Sequence, residues 1–264
     1  MKVKRSGWVV VLGASSGFGS AVCTELAKQG YDVCGVHLDR RSTLQLAKDT
    51  IAEVEECGAR ALFFNLNAAD QSNINEVLDA LEEESGRGEV RLLFHSLAFG
   101  SLVPLVGDDE KASARASQMT MTLDVMANSL VLWTQALTWR GMLSDGARIL
   151  AMTSAGGARA MKSYGMVSAA KAALEAYVRQ LALELGPRGI AVNAIRAGVT
   201  DTVALRRIPG SEAMKARALE LNPGGRLTEP VDVARVVSLL MGEGASWISG
   251  NVIGVDGGED IAGG

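Results

Sequence analysis

The sequence has few of the residues that hold disulfide-rich or zinc-binding proteins together. It contains only three cysteines, Cys23, Cys34 and Cys57, with no C-x-x-C spacing, and only two histidines. An odd number of widely spaced cysteines argues against a disulfide framework, and the shortage of histidine argues against a zinc site. We therefore expect no metal ion, reduced thiols that serve as small packing residues, and a cytoplasmic location.

Long hydrophobic segments and an excess of basic residues are also missing. The longest apolar runs, such as WVVVLG, have the length of a strand and are too short to span a bilayer. The N-terminal MKVKRSG is followed by a short apolar run and a glycine-rich turn, without the features of a secretory signal. The formal net charge is −4 at pH 7, so neither a nucleic acid nor a membrane surface is expected as a partner.

What the sequence does contain is a regular alternation of short apolar runs and longer amphipathic stretches. The runs that predict strands are 7–14, 32–38, 59–66, 90–98, 147–155, 190–198 and 251–258. The stretches that predict helices are 19–30, 43–58, 71–85, 126–139, 163–177 and 230–241. Strands that are apolar throughout are typical of parallel sheets covered on both faces. The pattern predicts a single α/β domain over 1–264, a Rossmann-type doubly wound parallel sheet with helices on both faces.

One segment, at about 199–226, interrupts the alternation between the sixth predicted strand and the helix that follows it. Its pattern is helical in the middle and loop-like at both ends, where RIPGS and NPGG occur. An insertion at the carboxyl edge of a parallel sheet commonly covers a ligand, so we interpret it as a substrate-binding segment. Met214, Leu219 and Leu221 would suit a chain-shaped apolar pocket, although the same pattern would equally serve a helix that faces the core.

The first predicted strand is followed by a glycine-rich turn, GASSGFG, which opens the first helix. Gly13 permits a tight turn, while Gly17 and Gly19 allow close approach of the backbone to a pyrophosphate and of the helix to the sheet. The N–H groups at the start of that helix can bind phosphate oxygens. In this context the turn predicts a dinucleotide site, and a plain tight turn is the alternative. The residues expected there are Gly13, Ser15, Ser16, Gly17, Phe18 and Gly19.

A tyrosine and a lysine stand seven positions apart in the predicted helix SYGMVSAAKAALEAY, residues 163–177. Seven helical positions turn about 700°, so Tyr164 and Lys171 share one face, about 10.5 Å apart along the axis. The charge of the lysine would lower the pKa of the phenol and favour its role as a proton donor. A hydrogen-bond donor must lie where charge develops in the transition state. The seven-residue spacing places the phenol a turn further from the lysine than a four-residue spacing would. Our hypothesis is that the phenol therefore donates to an oxygen further from the reacting carbon, such as an enolate oxygen.

These motifs together resemble the short-chain dehydrogenase/reductase family from end to end. The resemblance rests on the glycine turn, HSLAFG, MTSAGG, the tyrosine–lysine helix, NAIRAGVTDT and ISGNVIGVDGG. The common carbonyl reductases of the family use Y-x-x-x-K, whereas the Y-x6-K spacing here is similar to the enoyl-acyl-carrier-protein reductase branch. The ordinary glycine pattern, and Ser154 in place of a second tyrosine, depart from the commonest form of that branch. Both departures resemble a less common, NADPH-using subtype.

The resemblance implies a set of catalytic and coenzyme-binding residues. Tyr164, Lys171 and Ser154 would be catalytic, and Lys171 would also bind the nicotinamide ribose. The further coenzyme-binding residues would be His37, Arg40, Arg41, Asn67, Ser96, Leu97, Ala98, Gly198, Thr200 and Thr202. Met126 stands where the family has a helix asparagine, and Asn128 is a half-turn away.

The end of the second strand distinguishes NADPH from NADH, because an acidic residue there binds the ribose hydroxyls and repels a 2′-phosphate. The discriminating position is His37, where no carboxylate stands, and Arg40 and Arg41 follow nearby. This pattern favours NADPH over NADH. The alternative is that both arginines are solvated and that Asp39 bends back to the ribose.

The sequence therefore predicts an enzyme, an NADPH-dependent reductase that delivers a hydride to the β-carbon of a trans-2-enoyl thioester. The resemblance implies an acyl thioester substrate, on acyl carrier protein or coenzyme A, and a homotetramer. Two alternatives stay open. One is a carbonyl or alcohol oxidoreductase that acts on a 3-oxoacyl thioester or another ketone, and the other is a nucleotide-binding protein without catalytic activity.

Overall fold

A single parallel sheet forms the centre of residues 6–262, the part of the chain that the computed structural model describes. Its seven strands are β1 (Trp8–Leu12), β2 (Asp32–His37), β3 (Ala61–Asn65), β4 (Val90–His95), β5 (Leu143–Thr153), β6 (Ala191–Ala197) and β7 (Val252–Val255). They lie in the order β3-β2-β1-β4-β5-β6-β7, and every neighbouring pair is parallel. The direction of winding reverses between β1 and β4, so the carboxyl ends of these strands open a crevice. The predicted doubly wound architecture is confirmed.

Helices cover both faces of the sheet, as predicted. They are α1 (Gly17–Ala27), α2 (Leu44–Glu56), α3 (Gln71–Ser85), α4 (Ala116–Leu123), α5 (Ser129–Trp139), α6 (Gly165–Leu185), α7 (Ser211–Leu221), α8 (Pro230–Leu240) and α9 (Glu259–Ala262). One hydrophobic layer joins the sheet to α1 and α8, where Leu26 and Val237 are fully buried. The other joins it to α3, α5 and α6, where Leu78, Trp133 and Leu174 are fully buried. Within residues 6–262, no helix has both the length and the apolar character needed to cross a membrane.

The helical region before β5 is longer than the sequence predicts. The pattern predicts one helix at 126–139, whereas the structure has α4, a π-helical turn at 124–128 and then α5. The Asn128 side chain donates to Asp124 at 2.7 Å and accepts a hydrogen bond from the Tyr177 hydroxyl at 2.9 Å. These contacts hold the wider turn, whose extra residue a regular 3.6-residue periodicity does not indicate.

Two of the three cysteines lie in the core. Cys23 and Cys34 are fully buried, and Cys57 is half-buried. Burial raises the pKa of both buried thiols, that of Cys34 to about 12, so both stay protonated. A buried, protonated thiol is a poor nucleophile, and these two side chains serve as packing residues.

Candidate active site

The glycine-rich turn packs against the ends of β2 and β4. The N–H of Gly13 donates to the carbonyl oxygen of Val36 at 2.8 Å. The N–H of Ser96 donates to the carbonyl oxygen of Leu12 at 2.9 Å. A Cβ atom on Gly13 would lie 2.6 Å from the carbonyl oxygen of Ser96, and one on Gly19 would lie 2.0 Å from that of Gly13. Only glycine fits at these two positions, so the turn brings the ends of β1, β2 and β4 together.

The start of α1 is suited to an anionic ligand. Its N-cap residue, Ser16, has an extended backbone, and the Ser16 side chain makes no capping hydrogen bond. The first turn of α1 also contains no acidic residue. Ser15, Ser16, Gly17 and Phe18 are each partly exposed. The N–H groups at the start of α1 are thus left without a side-chain cap, and they fit the pyrophosphate of a dinucleotide.

The carboxylate of Asp39 is held just beyond β2 by several polar partners. Its Oδ2 atom lies 2.9 Å from Nδ1 of His37. The side chain of Asn65 bonds the Asp39 backbone twice, accepting from its N–H at 2.9 Å and donating to its carbonyl at 3.0 Å. Burial opposes ionisation of Asp39, but hydrogen bonds with Thr43, Ser15 and His37 outweigh burial and lower its pKa. A negative charge therefore faces the glycine turn.

The other residues expected near the adenosine, Arg40, Arg41 and Asn67, lie on the surface. Arg40 and Arg41 are exposed, and neither forms an ion pair with any residue from 6 to 262. Asn67 is exposed, and its side chain accepts a hydrogen bond from the N–H of Ala69 at 3.1 Å, which closes its own turn before α3. The asparagine that does reach the end of β2 is Asn65, which sequence reasoning missed. Asn65 lies opposite His37 in the register of β2 and β3, and this strand pairing brings it to the end of β2.

Lys171 is buried on α6, where its ammonium group has a backbone partner. Its Nζ atom donates to the carbonyl oxygen of Met152 in β5 at 2.7 Å, and the residue is 5% exposed. Burial lowers the pKa of Lys171 to about 8, although the charge of Glu175 opposes that shift. Glu175, one turn further along α6, accepts a hydrogen bond from Thr153 Oγ1 at 2.6 Å. Contacts between β5 and α6 thereby fix the position of the ammonium group.

Tyr164 occupies the N-cap position of α6 rather than a position inside the helix. Its carbonyl oxygen accepts an early helical hydrogen bond, from the N–H of Ser168 at 2.8 Å. The preceding residue, Ser163, has a φ of 58°, a left-handed conformation that is uncommon outside glycine. Tyr164 thus lies nearly two helical turns before Lys171. The strained residue Ser163 directly precedes it.

The ring of Tyr164 lies in a small apolar cluster, which we call the Tyr164 cluster. Its members are Met126, Tyr164, Val167 and Ala170, with Leu102, Leu123, Val125, Met161 and Ile208 packed against them. Tyr164 is 8% exposed. Burial raises the pKa of its phenol, and the hydroxyl of Ser154 offsets part of that rise. The net shift is opposite to the lowering that the charge of Lys171 was expected to cause, because burial dominates. The phenol therefore stays protonated and can donate a hydrogen bond.

The loop after β5 brings Ser154 and Gly156 to the Tyr164 ring. The Ser154 hydroxyl oxygen is buried and has no hydrogen-bond partner of good geometry among residues 6–262. Buried hydroxyl groups in proteins are almost always paired, so this one is suited to a ligand atom. A Cβ atom on Gly156 would lie 2.5 Å from Cε1 of Tyr164. The ring therefore rests directly against the backbone of this loop.

Two other polar side chains, those of Asn128 and His95, already have hydrogen-bond partners within the protein. Met126, at the position where the family pattern has an asparagine, lies in the Tyr164 cluster, and Asn128 holds the π-helical turn. His95 is fully buried, with Nε2 2.8 Å from the Ser129 hydroxyl. Burial, and then the charge of Lys171, lower the pKa of His95 to about 3, so the imidazole is neutral.

The loop after β6 reaches from the sheet to the glycine turn. The N–H of Gly198 donates to the carbonyl oxygen of Val255 at 3.1 Å, and the Thr200 hydroxyl donates to the carbonyl oxygen of Gly198 at 3.0 Å. The Cγ2 atom of Thr202 would lie 3.5 Å from a Cβ atom on Gly17. The structure thus brings residues 198–202 and the start of α1 to one edge of the sheet.

The remaining residues expected at the coenzyme and substrate sites differ in their burial. Leu97 packs against the hydrophobic core, and Ala98 is exposed. In α7, Leu219 is 49% exposed, so it does not face the core. Ile208, which precedes α7, does contact the Tyr164 cluster. The 199–226 segment therefore reaches the Tyr164 cluster through Ile208.

Comparison with known proteins identifies related sequences along the whole chain. A family described as enoyl-(acyl carrier protein) reductase matches residues 13–259. The 1-cyclohexenylcarbonyl-CoA reductase of Streptomyces collinus is 29% identical over 254 residues, covering 96% of this chain and 86% of the relative. The enoyl-acyl-carrier-protein reductase (NADH) FabI of Nostoc sp. is 34% identical over 213 residues, covering 81% and 80%. The 3-oxoacyl-acyl-carrier-protein reductase FabG of Pseudomonas aeruginosa is 29% identical over 249 residues, covering 94% and 95%.

A solved structure shares the fold over nearly every residue. A short-chain dehydrogenase from Burkholderia cenocepacia, solved in complex with NADP, superposes with a TM-score of 0.81 at 25% identity. The superposition covers 98% of this chain and 100% of that one. The same arrangement of sheet and helices is therefore present in a protein that holds a dinucleotide.

The contact between Gly156 and the phenol ring generates a prediction about stability. We expect Gly156→Ala to lower the free energy of unfolding by about 1–3 kcal/mol, because the added methyl group must displace the Tyr164 ring. Denaturant titration measures the change. Gly186→Ala is the matched control, since φ there is −52° and no atom lies within 4 Å of the added Cβ. Equal unfolding free energies for the two variants would contradict the contact.

Proposed function

The chain belongs to the short-chain dehydrogenase/reductase family and is an oxidoreductase, and on that premise we propose that it reduces the double bond of a trans-2-enoyl thioester with NADPH. The observation that carries the proposal is the position of the tyrosine relative to Lys171. Tyr164 stands nearly two turns before Lys171, and the position one turn before Lys171 is Val167, buried in the Tyr164 cluster. A ketone reductase of the Y-x-x-x-K type would carry its tyrosine at that nearer position.

The residues at the carboxyl edge of the sheet fit a nicotinamide coenzyme. The start of α1 would hold the pyrophosphate, and the end of β2 would hold the adenosine. Residues 198–202, together with Lys171, would hold the nicotinamide and its ribose. When bound, the coenzyme supplies the hydride that the β-carbon of the substrate receives.

Tyr164 would then act on the opposite end of the conjugated system. Burial keeps the Tyr164 phenol protonated, so it would donate its proton to the substrate oxygen, while Lys171 would hold the nicotinamide ribose. The apolar side chains around the ring exclude water and strengthen the hydrogen bond to an oxygen that becomes negative. Ser154, whose hydroxyl is buried without a good partner among residues 6–262, would bond the same thioester oxygen. Together these groups stabilise an enolate.

The Tyr164 cluster would also receive the acyl chain. Leu102, Met161 and Ile208 are partly buried apolar side chains packed against the cluster, beside the polar pair of Tyr164 and Ser154. An acyl thioester presents the same combination, an apolar chain next to a polar carbonyl group. The relatives' names include a coenzyme A thioester and an acyl-carrier-protein thioester, which supports a thioester substrate on either carrier.

Reduction of a 3-oxoacyl thioester is the second candidate. It is favoured by Ser154 after β5 and by the glycine turn, which follow the ordinary reductase pattern, and by the name of the Pseudomonas relative. The two reactions differ in where negative charge develops. In a ketone the oxygen is bonded to the carbon that gains the hydride, whereas in an enoyl thioester it is three bonds away.

Parallel substrate assays separate the two candidates. We expect oxidation of NADPH, followed by its absorbance, with a trans-2-octenoyl thioester and not with the matching 3-oxo-octanoyl thioester. Tyr164→Phe should lower kcat by about 100-fold or more, because the phenyl ring cannot donate a proton. Tyr177→Phe, on the same helix, should keep turnover within about threefold, since its hydroxyl bonds Asn128 instead. Turnover of the 3-oxo substrate alone would refute enoyl reduction, and full activity in Tyr164→Phe would refute the role of the phenol.

The buried lysine gives the reaction a pH dependence. Because burial lowers the pKa of Lys171 from 10.5 to about 8, the folded protein loses this positive charge as the pH rises above about 8. We expect kcat/KM, which reports the free enzyme, to fall over that range. Lys171→Arg keeps its charge at every accessible pH, so its residual activity should not show the decline. A wild-type profile that stays flat to pH 10 would contradict a lysine with this pKa.

The coenzyme preference is a separate proposal, NADPH rather than NADH. It is supported by His37 at the end of β2 and by the exposed, unpaired positions of Arg40 and Arg41 among residues 6–262. Asp39 acts in the opposite direction, because its carboxylate faces Ser15 and would repel a 2′-phosphate.

Variants at these positions measure the balance of the two effects. Arg40→Ala and Arg41→Ala, together, should raise the KM for NADPH about tenfold and leave that for NADH unchanged, because only NADPH carries the phosphate. Asp39→Asn, which removes the repelling charge, should lower the KM for NADPH. If the wild type prefers NADH and the arginine variants behave like it, then Asp39 binds the ribose and the NADPH proposal is wrong.

A further inference from the structure

The short helix α9, which follows β7, is joined to the loop after β6 by a carboxylate. The N–H of Val199 donates to Glu259, at 3.0 Å to Oε2 and at 3.3 Å to Oε1. Gly198 lies against the same group, because a Cβ atom there would be 2.8 Å from Oε2. Glu259 belongs to none of the motifs that indicate a coenzyme site.

The surroundings of Glu259 are unfavourable for a carboxylate. Burial raises its pKa, and the negative charges of Asp256 and Asp260 add to the rise, while the hydrogen bond from Val199 opposes it. The two aspartates have other partners. Asp256 accepts hydrogen bonds from backbone N–H groups of its own turn, and Asp260 pairs with Arg196 at 2.7 Å. The bond with Val199 is therefore the contact that offsets the cost of placing Glu259 here.

This bond fixes the orientation of one peptide group. In a trans peptide the N–H and the C=O point in opposite directions. The Val199 N–H points to Glu259, and the carbonyl oxygen of the same peptide, that of Gly198, accepts from the Thr200 hydroxyl at 3.0 Å. Both ends of the peptide are held, which sets the path of the chain from β6 to Thr202 beside the glycine turn.

We propose that Glu259 is a positioning residue for the nicotinamide half of the coenzyme and acts through the peptide group of Val199. The inference rests on the proposed function, in which residues 198–202 receive the nicotinamide. The pyrophosphate and adenosine positions are built by other elements, α1 and the end of β2. Loss of the Glu259 bond should therefore weaken binding of the nicotinamide half and leave the adenosine half unaffected.

Binding measurements on the two halves test this role. Fluorescence titration gives the Kd of NADPH and NADH, and calorimetry gives the Kd of 2′-phospho-ADP-ribose and ADP-ribose, which lack the nicotinamide. Glu259→Ala should raise the Kd of the intact coenzyme about tenfold and leave the Kd of the fragment unchanged. Glu259→Gln keeps an acceptor oxygen of the same reach, so it should stay close to wild type. Glu259→Asp keeps the charge but shortens the side chain, and it should resemble Glu259→Ala.

The matched control is Asp260→Asn, which weakens the ion pairs of that residue with Arg196 and Arg159 but leaves the Val199 bond in place, and it should leave both Kd values unchanged. Hydrogen exchange supplies a second readout, because the Val199 amide should exchange faster in Glu259→Ala than in Glu259→Gln. Equal loss of coenzyme and fragment affinity, or no loss of either, would overturn the positioning role. A wild-type protein that binds neither NADPH nor NADH would instead refute the proposed function, and circular dichroism checks independently that each variant is folded.

Discussion

The buried ammonium group of Lys171 is the constraint on which the rest of the site depends. Removing a charge of this size from water costs several kcal/mol, so the fold must supply compensating partners. The carbonyl oxygen of Met152 lies 2.7 Å away, and the carboxylate of Glu175 follows one turn along the helix. The same charge helps to keep His95 neutral. A strand end and a helix are thus held together around one charge, and Tyr164 lies at the start of the same helix.

Space is the second constraint, and glycine meets it where backbone segments converge. Gly13 and Gly19 let α1 and the end of β4 approach the turn, Gly156 lets the Tyr164 ring rest on a loop, and Gly198 admits the carboxylate of Glu259. At each of these positions a methyl group would lie within 3 Å of another atom. The candidate site is therefore assembled by close backbone contacts between elements that are far apart in the sequence.

The strands and most of the helices follow from local patterns, and they could be predicted from the sequence, whereas the catalytic roles of Tyr164 and Lys171 stay predictions. Apolar runs such as that of β1 predict a parallel sheet, and the segment 163–177 predicts the helix α6, which begins one residue after Tyr164. The contacts of Asn65 and Glu259 could not be predicted in this way, because their partners lie across the sheet, 26 and 60 positions away. The turn at 124–128 was missed because its period differs from that of an α-helix. Orientation of Asp39 toward the glycine turn depends on the same tertiary contacts.

The placement of Tyr164 at the start of α6 has an electrostatic consequence. The helix is 21 residues long, so its aligned peptide dipoles leave about half a positive charge at the first turn. That partial charge has the same sign as the charge of Lys171, which lies further along the same helix. The protein as a whole is acidic, with a formal net charge of −4. In the proposed reaction, an anion that develops at this point would meet a local positive potential inside a molecule whose overall field is weakly repulsive.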